Sequence, residues 1–167
     1  DVLCNGALNE ACRPGPPGGE CAYEFAGVPA PVAVTVAVSI VLGGVTCSAF
    51  GAAEEAAFIA AVLGTMPGLL EGDVGPLTCA AASASRRRRP LDDAAPGVSI
   101  AFDVTVTDAE WSERTGASIE TAADLAGVIT ATLGAAVSSG TFTSELQAAA
   151  ADAGSAALLS AVATGVE

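Results

Sequence analysis

Val32-Ala33-Val34-Thr35-Val36-Ala37-Val38-Ser39-Ile40-Val41-Leu42 decides the fold. Val32, Val34, Val36, Val38, Ile40 and Leu42 fall on one side of the chain, and Ala33, Thr35, Ala37 and Ser39 on the other. A period of two is the signature of a strand with one buried face. Gly43-Gly44 ends it. The same pattern returns after Gly97, where Val98, Ile100, Phe102, Val104 and Val106 alternate with Ser99, Ala101, Asp103, Thr105 and Thr107. Two such strands predict a sheet covered on one face and bare on the other.

The segments around these strands supply the cover. A helix is predicted over Ala52 to Thr65, with Phe58, Ile59, Val62 and Leu63 on its apolar side. Glu54 and Glu55 in its first turn complement the helix dipole, and Met66-Pro67-Gly68 stops it. Leu77 to Ser85 reads as a weaker strand. It forms a hairpin with the Gly97 strand, and the loop carries Arg86, Arg87, Arg88 and Arg89 followed by Pro90. Ser118 is placed to cap a helix from Ile119 to Val137, with Ile119, Ala122, Ala126, Ile129 and Leu133 as its apolar line. A further helical piece spans Thr143 to Ala153, with a capping box at Ser144 and Gln147. Leu158 to Val166 is the final strand. The order is an α+β, split β-α-β-β-α-β (ferredoxin-like) sandwich over residues 28–167, with helices on one face of an antiparallel sheet. Residues 1–27, with Arg13-Pro-Gly-Pro-Pro-Gly-Gly19 and three cysteines, read as a loop-rich appendage.

Charge removes several functions. The 167 residues carry 19 acids against 6 arginines, a net charge of −13, with no lysine and no histidine. Nucleic acids require a basic footprint, so they are not expected as partners. Anionic lipid is disfavoured in the same way. The stretch from Phe25 to Ala53 is uncharged and long enough to span a bilayer, but Pro29, Pro31, Gly43, Gly44 and the period of two argue against a membrane helix. Nucleophilic catalysis normally draws on a histidine or lysine base, and neither exists here. A phosphate-binding GxxxxGK[ST] loop and an EF-hand loop are both absent from the sequence. The acid pairs Asp92-Asp93 and Asp108/Glu110 read as solvated. No enzyme activity, cofactor or metal is therefore expected. A casual Ca²⁺ contact through Asp73, Asp92, Asp93 or Asp103 is the remaining cation reading. Trp111 reads as a lid on the core ahead of a sugar-stacking residue.

The five cysteines, Cys4, Cys12, Cys21, Cys47 and Cys79, contain no CxxC and favour disulfides in an oxidising compartment. An odd number leaves one thiol free or paired between chains. With the first and second strands parallel, Cys47 lies past the exit of one and Cys79 at the entry of the other. That separation exceeds the ~7 Å Cα reach of a disulfide. The expectation is that Cys47 and Cys79 do not pair, and that each joins the appendage, with Cys21 best placed for Cys79. The arginine run admits three uses: a solvated turn, a docking site for acidic neighbours, and a processing site that Pro90 hinders. The chain opens on Asp1, not Met, and reads as mature or trimmed.

Three stretches resemble a known module: Leu42-Gly-Gly-Val-Thr-Cys-Ser-Ala-Phe50 with Ala56-Ala-Phe58, Arg86–Arg89 followed by Gly97-Val-Ser-Ile-Ala-Phe-Asp-Val104, and Ser139-Gly-Thr-Phe-Thr-Ser-Glu-Leu-Gln147 with Gly154-Ser155. They resemble the SEA-like, ferredoxin-fold repeats of secreted and surface proteins of algae and related protists, over residues 32–167. The resemblance implies an extracellular scaffold without catalytic residues. SEA domains proper can cleave themselves at a Gly-Ser step, and Gly97-Val98-Ser99 lacks that step. The expected function is a secreted structural subunit or repeat of a filament, coat or matrix, with copies of itself as partner. The alternative is a secreted or cell-surface ligand-binding module for glycans or Ca²⁺.

Overall fold

A computed structural model of the chain describes residues 33–82, 97–117, 119 and 121–166. The chain divides into two units, Asp1–Ala30 and Pro31–Glu167, and every described residue lies in the second. The first long strand, β1 (Ala33–Gly43), follows its alternation, with Val34, Val38, Ile40 and Leu42 buried. The helix α1 (Ala52–Thr65) comes next, then the short strand β2 (Thr78–Ala81) and the second long strand, β3 (Gly97–Thr107). Val98, Ile100, Phe102, Val104 and Val106 of β3 all face the core. Three helices follow, α2 (Asp108–Thr115), α3 (Ala122–Ser139) and α4 (Thr141–Ala153), before the last strand, β4 (Val162–Val166).

The four strands form one sheet in the order β2-β3-β1-β4, and each adjacent pair is antiparallel. β1 and β3 pair along their whole length, from Ala33 opposite Thr107 to Gly43 opposite Gly97. The outer strands reach only part of the way. β2 covers Val98 to Ala101 of β3, and β4 covers Ile40 to Gly43 of β1. The sheet is therefore four strands wide at one end and two at the other. Phe58 of α1 meets Phe50, Phe102 and Phe142 edge-on, with centroids 6.3, 5.5 and 5.6 Å away, and ties the helices to the sheet.

The short β2 corrects the cysteine expectation. Cys47 and Cys79 form a disulfide, with Cα atoms 5.6 Å apart. The expectation placed Cys79 at the far end of a nine-residue strand. In the observed register Cys79 lies opposite Ile100, which itself lies opposite Ile40, so Cys79 stands near the end of β1. After Gly43-Gly44 the chain buries Val45 and turns back through a 3-10 turn at Cys47–Ala49, towards β2. Neither cysteine therefore joins the appendage. β1 and β2 still run parallel on either side of β3, so it was the length of β2 that misled.

The helices differ from expectation at their starts. Thr121 caps α3, its Oγ1 accepting from the Asp124 N–H at 3.1 Å and donating to the Asp124 carboxylate at 2.7 Å. The buried line is Leu125, Ile129, Leu133 and Val137, whereas Ala122 is exposed. Ser118 lies outside the described residues. Gly140, at φ 79°, ends α3 and starts α4, so α4 begins two residues before Thr143. No capping box forms at Ser144 and Gln147: Ser144 donates to Gly140 O, and Gln147 Nε2 donates to Ala161 O at 3.1 Å. The helix α2 has no counterpart in the expectation. A reciprocal cap between Thr107 and Glu110 starts it, and Gly116 at φ 70° ends it. The final strand is also shorter, since Leu158 is buried in the turn that precedes it.

Candidate functional site

The helices and the sheet enclose one core, and no described helix or strand covers the other face of the sheet. Thr35 and Ala37 of β1, Thr78 and Ala80 of β2, and Ala101, Asp103 and Thr105 of β3 are exposed there. Small side chains leave this face nearly flat. Thr35 and Thr105 share a hydroxyl hydrogen bond of 3.0 Å, and Ser39 and Ser99 share another. A shallow groove of about 300 Å³ runs between Ala37, Ser39, Pro76, Thr78, Ala101 and Asp103. It offers one carboxylate and two hydroxyls to a polar ligand. The sequence reading named Asp103 as a cation contact and passed over Ser39 and Thr78, whose signal was their place on the polar side of the alternation.

The sheet edges differ in how they are finished. The β2 edge is four residues long, and beyond it Val74 bridges Val104 while Gly75 N–H donates to Asp103 O at 2.7 Å. The β4 strand has five residues, includes Gly165, and meets β1 with a register shift at Val41/Leu42. On the β4 side of β1, by contrast, Ala33 to Ser39 pair with no strand among the described residues. Every second residue of an edge strand turns its N–H and C=O outward, so among the described residues this stretch presents a row of backbone donors and acceptors with no strand partner.

At the two-stranded end, Trp111 of α2 packs against Gly68 and the core. It is 5% exposed, as a lid on the core is. Its Nε1–H is buried without a partner among the described residues. Arg114 pairs with Asp73 and, more loosely, with Glu110 at 3.7 Å, and Nη1 also donates to Gly68 O. The Glu110 carboxyl is held below its ordinary value by hydrogen bonds from the Thr107 hydroxyl and backbone N–H, with Arg114 adding a smaller pull. Asp73 Oδ2 also accepts from the Leu70 N–H at 2.8 Å, so this oxygen is engaged in structure. Among the described residues, no three His, Cys, Asp or Glu side chains gather to hold a metal.

The arginines Arg86–Arg89, the acids Asp92 and Asp93, and Cys4, Cys12 and Cys21 lie outside the described residues. The anchors of the arginine segment are described. Ala82 N–H donates to Gly97 O at 3.0 Å, and Gly97 lies opposite Gly43. The segment thus departs from the four-stranded end. Asp103, Asp108 and Glu110 sit towards the other end, where β3 passes into α2. One helix, α3, is long and apolar enough to cross a membrane by length and composition, and four of its side chains face the core. No family model, curated protein or solved structure matches this chain.

Proposed function

We propose that the chain is a secreted structural module of an extracellular filament, coat or matrix, built on the split β-α-β-β-α-β plan of SEA-like modules. The strand order β2-β3-β1-β4 with antiparallel neighbours supports the plan. The Cys47–Cys79 bridge supports an oxidising compartment. The observation that carries the reading is the small-residue sheet face, exposed among the described residues, beside a stretch of strand edge that no described strand pairs with. Solitary proteins blunt such edges, whereas assembling ones use them. The acidic balance speaks against nucleic acid and anionic membrane as partners. The partner is another copy of the chain, and the chain itself performs no reaction.

Sedimentation and negative-stain electron microscopy of the oxidised chain test the reading. Ordered, concentration-dependent assemblies are the expected result. The groove between Ser39, Thr78 and Asp103 favours a second reading, a module that binds glycans or Ca²⁺. A chain that stays monomeric and takes up oligosaccharide or Ca²⁺ at this groove would replace the first reading by the second.

A further inference from the structure

We propose that the Cys47–Cys79 bridge is a reducible latch: closed, it holds β2 in the sheet, and opened by a dithiol it lets β2 leave β3 while the rest of the fold stays in place. The inference concerns a single copy of the chain and does not rest on the assembly reading. None of the four side chains of β2 is buried: Thr78, Ala80 and Ala81 are exposed, and Cys79 is half-buried. Among the described residues its ladder is four pairs with β3, continued by the bond from the Ala82 N–H to Gly97 O. A short ladder with little apolar burial barely offsets the entropy of ordering the strand. The side chain of β2 that packs on the core is Cys79 itself, so the place of β2 in the sheet depends on the bridge.

The segments on either side of the latch are anchored separately. Cys47 follows the buried Val45 and precedes Phe50, whose ring meets Phe58 edge-on, so it stays with the core when the bridge opens. Ahead of β2, Val74 bridges Val104 and the Gly75 N–H donates to Asp103 O, which fixes the chain up to that point. β1 and β3 remain paired from Ala33 to Gly43. Thr78–Ala82 is thus the segment released. The chemistry is thiol–disulfide exchange, and neither cysteine is sealed in the core. A thiolate of the dithiol attacks one sulfur, forms a mixed disulfide and expels the other cysteine as a thiolate. The second thiol of the reductant then displaces the remaining cysteine and closes its own disulfide. Two electrons and two protons pass to the chain, leaving Cys47 and Cys79 as thiols. Return of β2 brings their Cα atoms back to 5.6 Å, within disulfide reach, so oxidation resets the latch.

The sheet itself provides the readout. Gly97 O points to β2, and successive residues of a strand turn their N–H and C=O to alternate sides, so Ser99 and Ala101 face β2 while Val98 and Ile100 face β1. Residue-resolved amide exchange by NMR on the full chain, oxidised and after dithiothreitol, measures both sets. On reduction the protection of Val98 and Ile100 relative to Ser99 and Ala101 should rise roughly tenfold, and reoxidation should reverse it. Cys47→Ala with Cys79→Ala should show the same raised ratio without dithiothreitol, which separates the bridge from any effect of the reductant on Cys4, Cys12 and Cys21. A bridge that survives dithiothreitol in the folded chain overturns the latch. So does an unchanged ratio, whether β2 stays in place or the whole chain opens together, and so does a variant that lacks the shift. Each of these failures leaves the assembly reading untouched.

Discussion

The sheet has a four-stranded half and a two-stranded half, and they are held together by different means. Near Gly43 and Gly97 all four strands are present, and the Cys47–Cys79 bridge ties the turn after β1 to the edge strand β2. Towards Ala33 and Thr107 only β1 and β3 continue among the described strands, and local contacts close the structure: Trp111 against Gly68, Arg114 on Asp73, and a backbone bridge between Val74 and Val104. Where strands and a covalent link hold the chain, β2 can be built of Thr, Cys and Ala with little burial of its own. Where they are missing, each contact depends on close packing. Width is thus exchanged for side-chain fit along one sheet.

Removing the bridge should have the largest effect on this contrast. It closes a loop across a sequence separation of 32 residues. On the chain-entropy account its loss costs about 3–4 kcal/mol. Cys47→Ala with Cys79→Ala should lower the urea midpoint accordingly. Amide exchange should rise first in β2 and in the turn after Gly44, and a uniform rise would erase the distinction between the halves.

The two-stranded half should be most sensitive at Gly68. A Cβ there would stand 2.5 Å from Thr115 Cγ2 and 3.0 Å from a Trp111 ring carbon. Gly68→Ala should therefore cost about 1–3 kcal/mol, by overpacking. Its exchange should rise in α2 and in the Thr105–Thr107 end of β3, leaving β2 protected. Equal loss of protection in β2 would show that the two halves open as one.

The smallest effect concerns pH. Glu54, at the start of α1, accepts from the Ser155 hydroxyl at 2.8 Å and from the Gly51 N–H at 3.0 Å. Those hydrogen bonds, that from Ser155 foremost, hold its carboxyl below the ordinary 4.5. A depressed carboxyl adds stability above its unfolded value and loses it as pH falls through the folded one. Glu54→Gln should flatten the fall in stability below about pH 4.5 and change little at pH 7, as read from denaturant midpoints across that range.

The two long strands were legible because Val34 to Leu42 and Val98 to Val106 alternate without a break. What could not be read were lengths. Leu77 to Ser85 is mostly Ala and Ser, so nothing in it marks where pairing stops, and an overlong β2 sent Cys79 to the wrong end of the sheet. The helix α2 has one buried side chain, Trp111, in eight residues, too few to show a period. Its signal was the cap, Thr107 followed by Glu110 at the third position. The outward-facing residues of the groove followed from the alternation. The reach of β4 along β1 did not, because Leu158 to Ala161 looked like strand, and only coordinates show the pairing beginning at Val162, opposite Gly43.

The bridge also has a mechanical consequence. A module in a fibre or matrix is pulled from its two ends, and under load it lengthens by letting chain out. Between Cys47 and Cys79 no chain can be let out while the bridge is closed. At about 3.4 Å per residue the 32-residue separation withholds about 110 Å of contour from every unfolded copy. In the proposed assembly an oxidised module would therefore be a short tether and a reduced one a long tether, and the redox state of the surroundings would set how far the array stretches before its links take the load.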